Sequence, residues 1–347
     1  MNRRRNVQVS IFAGILMTFV SSLVPPAWAL DQITMRLDFI GYQAHHIAFW
    51  VAKEKGFYAQ EGIEVTIGSG RGSAQVAQLL IAKTDTFGYL VGAELVRFVG
   101  KGAPLQMVAV YLPKALPAYK YLKKSGIKTP KDLEGRTVGL MPGGTQEAMW
   151  LPFAKAAGFD AGKVKVVRVA QGSYNQLLLK GEIALTNGQI GGSSDVQINK
   201  TEPVGEFALA DYLPIIGHGL AVHKDTKDSK PELVRRFIRA SNQGWRYVVN
   251  GGRQTALEAA RFGAKNVPGA PDAEIIAEGF ELILPFMRSK NAEGRPLGWS
   301  SPKDWEAMLT FFQGLELDEF KPVPKMEEVM TNALVPTEEG GTIKKGQ

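Results

Sequence analysis

Cysteine is absent from the 347 residues, and histidine occurs only four times. Without cysteine there is no disulfide frame, so the fold must be held by its hydrophobic core, which a chain of this length can bury. The excess of one sign of charge is small as well. The 41 Lys and Arg against 34 Asp and Glu give a formal +7, and three of the positive charges are Arg3, Arg4 and Arg5. The +4 left after those three arginines is mild, and no dense basic run or basic helix stripe occurs, which excludes a nucleic-acid-binding surface. Beyond residue 29 no stretch approaches about twenty uninterrupted apolar residues, so no membrane span is expected there. Nucleotide signatures are missing too. Gly68-Ser69-Gly70-Arg71-Gly72 is glycine-rich, but Ser73 stands where a dinucleotide fingerprint needs its third glycine. No Walker-type Gly-Lys-Ser/Thr is present. "GGSSD" (191–195) lacks the Gly-x-Ser-x-Gly elbow of a serine hydrolase.

What is present begins with an export signal. Arg3 to Arg5 form a basic start, Val9 to Val24 an uncharged apolar run, and Ala27-Trp28-Ala29 a small-residue cleavage site. Cleavage is expected after Ala29, giving a periplasmic chain. No cysteine follows that site, so a lipid anchor is not expected. At the other end, residues 336–347 read as a polar tail.

Between these ends, strands and helices alternate. Strands are expected at 33–39, 63–67, 86–90 and 105–110, with helices at 46–55, 73–83 and 92–99. "FYAQEG" reads as a turn after Gly56. Residues 111–135 break the rhythm with three prolines and a lysine cluster. A second alternating unit follows, with strands at 136–141, 164–169 and 183–186 and helices at 145–157 and 174–180. The chain turns back around Pro214 to Ala221 and is then helical over 231–250, 253–264, 272–288 and 302–313. Alternation of this kind argues for parallel strands with crossover helices. The expected plan is two α/β lobes around a cleft: 30–113 and 218–335 in the first, 114–217 in the second.

Three places repeat strand, Gly/Ser-rich turn and helix start: "EVTIGSGRGSAQV", "TVGLMPGGTQEAM" and "VVRVAQGSYNQLL". Each presents backbone N–H groups at the carboxyl end of a strand, where ligands of open α/β sheets bind. Arg71, Ser73, Thr145 and Ser173 add side-chain donors; the alternative is that Gly and Ser only turn and cap the chain. Asp38 is the best-placed carboxylate. Phe39, Tyr42, Tyr89, Tyr111 and Tyr174 are candidate ring contacts for a planar ligand, whereas Trp245, Phe311 and Phe312 belong to the core. Adjacent helical residues diverge by about 100°, so His45 and His46 do not grip one metal together. His218 and His223 lie far away in sequence, and no metal is expected.

In order, "VAKEKGFYAQEGIEV" (51–65), "GSAQVAQLLIAKTDTFGY" (72–89), "TPKDLEGRTVG" (129–139), "PELVRRFIRASNQGWRYV" (231–248) and "MTNALVP" (330–336) resemble one family. It is the periplasmic substrate-binding proteins of ABC importers, in the branch for sulfonates, taurine, nitrate and thiamine pyrimidine precursors. The resemblance runs from about residue 33 to 335. It implies a two-lobed periplasmic binding protein fold, type II-like, with two hinge crossings and the helical C-terminal part on the first lobe. It implies a ligand clamped between lobes and handed to a membrane permease with its ATPase, by a monomer without catalysis or cofactor. On the family pattern Asp38 and Phe39 stand for an Asp-Trp pair, and His46 for a histidine before the first helix. Ser73 and Gly144-Thr145 match ligand-meeting positions. Where the family has Asp-Ala ending a second-lobe strand, "GEIALTNG" puts Asn187 near the ligand. The expected ligand contacts are thus Asp38, Phe39, His46, Arg71, Ser73, Tyr89, Gly144, Thr145, Tyr174 and Asn187. Arg71 and the positive balance point to an organic anion such as a sulfonate; Asp38, the aromatics and Thr331-Asn332 point to a pyrimidine. Enzymatic relatives that make the pyrimidine carry a cysteine-rich motif absent here. Two other readings remain: a ligand sensor partnering a membrane kinase, and a secreted enzyme on the same scaffold.

Overall fold

The computed structural model describes residues 29–39, 42–170, 172–315 and 318–337. The expected leader up to Trp28 and the tail from 338 onward lie outside them. Among the described residues are ten strands: β1 (Asp31–Arg36), β2 (Ile63–Gly68), β3 (Phe87–Val91), β4 (Leu105–Val110), β5 (Pro117–Leu122), β6 (Thr137–Leu140), β7 (Lys165–Arg168), β8 (Leu185–Gln189), β9 (Val204–Ala208) and β10 (His218–His223). They form two five-stranded sheets, ordered β2-β1-β3-β10-β4 and β7-β6-β8-β5-β9. In the first, β1 runs parallel to β2 and β3, and β10 lies antiparallel between β3 and β4. The second repeats the plan: β6 is parallel to β7 and β8, and β5 lies antiparallel between β8 and β9. The chain therefore leaves the first sheet after β4 and returns to it with β10.

The alternating pattern identified the parallel strands and missed several elements, among them β5, β9, β10 and helix Ser193–Asn199. β5, "PAYKYL", was hidden in the proline-rich stretch, because Pro117 can open a strand without interrupting it. Helix Ser193–Asn199 and β9 follow a Gly-Gly turn and were not expected. "FYAQ" is a helical turn, not a plain turn; it restarts after Gly56, which ends helix Ile47–Glu54 in the left-handed conformation (φ 73°) that glycine adopts freely. The two helices expected at 231–250 and 253–264 form one run, Pro231–Asn266, broken at Gly252 (φ 63°, ψ −152°).

Helix Ile47–Glu54 buries six of its eight residues, so it needs partners all round. The long helix supplies one side. There the backbones meet at Gly244, where a Cβ would lie 2.1 Å from the Ala48 carbonyl oxygen and 3.0 Å from the Ala52 Cβ. Gly244→Ala is expected to lower stability by about 1–3 kcal/mol through overpacking. That should lower the thermal midpoint by at least about 2 °C, and an unchanged midpoint would mean the helices can part without cost. Trp245 beside it is fully buried and stacks on Tyr111 at 5.1 Å. Phe312 is also fully buried, but Phe311, expected in the core, is only half-buried. No helix among the described residues is long and apolar enough to cross a membrane.

Candidate functional site

The carboxyl ends of strands from both sheets face one cavity. Its wall includes Asp38, Phe39, Gly72 and Ser73 after β1 and β2, and His218 at the start of β10. From the second sheet come Pro117, Met141, Gly144, Thr145, Gln146, Tyr174, Asn187, Gln189, Ser194 and Asp195. The cavity encloses only about 50 Å³, well below the roughly 300 Å³ of a small-molecule pocket. The lobes are closed, and bonds across the cleft hold them so. Gln43 Oε1 accepts from the Ser193 N–H at 3.1 Å and from its hydroxyl at 3.2 Å. A Gln189 amide meets a His45 ring nitrogen at 2.9 Å, and Lys200 pairs with Glu278 at 3.3 Å.

At the first-lobe wall, three histidines converge on Asp38. His45 Nε2 lies 3.2 Å and His46 Nε2 2.9 Å from Oδ1, and His218 Nε2 lies 2.9 Å from Oδ2. All four side chains are buried. Burial lowers His45 to about 3, helped by the neighbouring His46, and burial likewise lowers His46. Both are therefore neutral Nε2–H donors at neutral pH. Burial works against the Asp38 charge, but the contacts with His218 and then with His45 more than offset it, holding the carboxyl well below its usual range. Oδ1 has both lone pairs used, and Oδ2 keeps one.

The adjacent pair shares one carboxylate oxygen as acceptor, its ring centroids 4.0 Å apart, which is a different matter from gripping one metal together. One expectation about the histidines needs correction. His218, dismissed for its distance in sequence, is brought by β10 to the same carboxylate from 180 residues away. The expectation of no metal rested partly on that separation, which the fold removes.

The second-lobe wall is built differently. Lys120 on β5 and Asp195 on helix Ser193–Asn199 form a buried ion pair. Asp195 also accepts the Gln189 N–H at 2.7 Å and the Ser194 hydroxyl at 3.0 Å. Lys120 Nζ lies 5.2 Å from the Tyr174 ring centroid. Asn187 Oδ1 accepts the Met141 N–H at 2.8 Å, while its buried Nδ2 has no partner among the described residues. Such a donor is costly to bury unless a solute meets it.

Of the residues expected at the ligand, Asp38, Phe39, Ser73, Gly144, Thr145, Tyr174 and Asn187 lie on the wall. Arg71, Tyr89 and His46 do not. Arg71 is exposed, on the solvent side of the Gly70–Gly72 turn. Tyr89 is fully buried behind the histidines, its ring centroid 5.4 Å from that of His218. His46 stands behind Asp38 and reaches the cleft only through it. Tyr42 and Tyr111, the other ring candidates, are core residues; the Tyr42 hydroxyl donates to the Ala259 carbonyl at 2.8 Å. Ser173 is off the wall as well. Sequence reasoning overlooked Gln43, Gln189, Asp195 and His218. The signal for Asp195 was available, since "NGQIGGSSDVQI" is a fourth strand, Gly-Gly turn and helix start.

Comparison with known proteins gives a family and a fold. The family described as NMT1/THI5 like matches residues 43–254. The riboflavin-binding protein RibY of Chloroflexus aurantiacus is 23% identical over 313 residues, 88% of this chain and 87% of its own. The formylaminopyrimidine-binding protein of Halalkalibacterium halodurans is 21% identical over 285 residues, 82% of this chain and 85% of its own. Pyrimidine phosphate synthase names also occur among the relatives. Among solved structures, the periplasmic aliphatic sulphonate-binding protein SsuA of Escherichia coli superposes with a TM-score of 0.65, at 16% identity, over 85% of this chain and 94% of its own. That similarity establishes the fold: two α/β lobes joined by two crossings, as in periplasmic binding proteins.

Proposed function

Because this chain belongs to the NMT1/THI5-like family, we propose that it is the solute-binding component of an ABC import system. It captures a planar nitrogen heterocycle between its lobes. Residues 30–113 and 218–335 act as one lobe and 114–217 as the other, and closure buries the solute. The protein works as a periplasmic monomer exported by the leader, without catalysis or cofactor, and passes its cargo to a membrane permease driven by an ATPase.

One observation carries the choice of cargo. Asp38 and Asp195, one from each lobe, both face the cavity, and no lysine or arginine among the described residues lines it. Lys120 balances Asp195 from behind, whereas Asp38 keeps an open lone pair toward the cleft. A sulfonate would meet a carboxylate with no cation to offset it. A ring bearing N–H groups would donate to the carboxylate, and its ring nitrogen or carbonyl would satisfy Asn187 Nδ2. Phe39 and Tyr174 offer flat faces. The helix starts at Ser73 and Thr145 suit further acceptor atoms of the same ring system. The names of RibY and of the formylaminopyrimidine-binding protein support the reading, since both cargoes are of this kind.

The test is thermal unfolding of protein freed of copurified solute, against aminopyrimidines, riboflavin, alkanesulfonates, taurine and nitrate. A compound at about one hundred times its Kd adds about 2.7 kcal/mol, which raises the midpoint by about 5 °C or more. Stabilisation by the heterocycles and not by the anions is expected. Stabilisation by sulfonates alone would overturn the proposed cargo.

A further inference from the structure

We propose that Asp38, His45 and His218 form a binding site for a divalent first-row transition metal, with its open coordination position toward the cleft. The inference does not rest on the solute-binding reading. It rests on one carboxylate and two imidazoles whose donor atoms all lie within 4.8 Å of one another.

The distances are close to those of a loaded site. A tetrahedral zinc ion with bonds of about 2.0–2.1 Å holds its ligand atoms about 3.3 Å apart. His45 Nε2 is already 3.2 Å from Oδ1, and His218 Nε2 is 2.9 Å from Oδ2. Small rotations of the rings, without backbone movement, would open the centre. Two imidazoles and a carboxylate make a nitrogen and oxygen donor set that suits Zn²⁺, Co²⁺ or Ni²⁺ and not the all-oxygen preference of Ca²⁺ or Mg²⁺.

The surroundings have features of a metal site's outer shell. His46 Nε2, 2.9 Å from Oδ1, fixes the carboxylate from behind. At His45, the Gln189 side-chain amide lies 2.9 Å from Nδ1 and 3.4 Å from Nε2. With the amide turned so that its oxygen faces the ring, it accepts the Nδ1–H of a metal-bound imidazole, the partner such ligands need. Gln189 belongs to the second lobe, so the ion would favour closure. Asp38 and His218 both line the cavity, which gives an ion a way in when the lobes open.

The full chain, stripped with chelator and free of solute, is titrated with Zn²⁺ by calorimetry and with Co²⁺ by visible absorption. One ion per chain is expected, with the d–d bands of a low-coordinate nitrogen and oxygen site. His45→Gln and His218→Gln should each weaken binding by about 100-fold or more. His223→Gln should leave it unchanged, because His223 caps helix Lys224–Ser229 away from the cluster. Absence of binding to the wild-type chain would overturn the proposal, and so would binding that neither cluster variant weakens. The wild-type Co²⁺ spectrum needs no variant to fold. The ion is titrated without solute, so this result and the solute panel stand or fall separately.

Discussion

Lys120→Met should destabilise the protein by about 3–5 kcal/mol, measured by denaturant unfolding, more than a typical surface change would. Lys120 sits on an inner strand of the second sheet, β5 between β8 and β9, fully buried, and its ammonium is the only cation paired with Asp195 among the described residues. Removing it leaves a carboxylate in the cavity wall with the Gln189 N–H and the Ser194 hydroxyl as partners. These satisfy hydrogen bonds without cancelling the charge. The double change Lys120→Met with Asp195→Leu should recover most of the loss, because replacing a whole buried pair by apolar groups is often neutral. A single-variant cost below about 1 kcal/mol, the range of an exposed pair, would show that water reaches the pair.

Asp38→Asn should weaken the heterocycle found in the panel by about 100-fold, about 2.8 kcal/mol. Truncating one side of a buried charged hydrogen bond costs about 2–5 kcal/mol. The fold should survive, since the amide oxygen still accepts from His45 and His46, and only the His218 contact changes sign. Calorimetry on the variant, with its unfolding midpoint as control, decides the matter. Unchanged affinity with an unchanged midpoint would remove Asp38 from the solute contact.

Local patterns in the sequence carried the framework and part of each wall. Strand, turn and helix start are local signals, and they led to Ser73, Gly144, Thr145 and Tyr174, all of which line the cavity. What local patterns could not carry was pairing between distant segments. β5 and β10 enter their sheets antiparallel, from outside the alternating rhythm, and each brings a residue that spacing cannot locate: Lys120 to Asp195 and His218 to Asp38. Arg71 failed for a related reason. A glycine-rich turn indicates where the backbone approaches a ligand, not which way a long side chain leaves it, and Arg71 leaves toward solvent. His46 and Tyr89 were near the right place but one layer too deep.

The position of β10 also constrains the order in which the molecule can be completed. Within its sheet, β4 has no neighbour except β10, and β3 needs β10 on its outer side. A nascent chain that has emerged only as far as Ile216 therefore has β4 without its partner strand, although every other strand of that sheet has been made. The second sheet lies wholly within the intervening stretch and depends on nothing later. Vectorial emergence thus lets the inserted lobe finish first, while the surrounding lobe waits for its last strand.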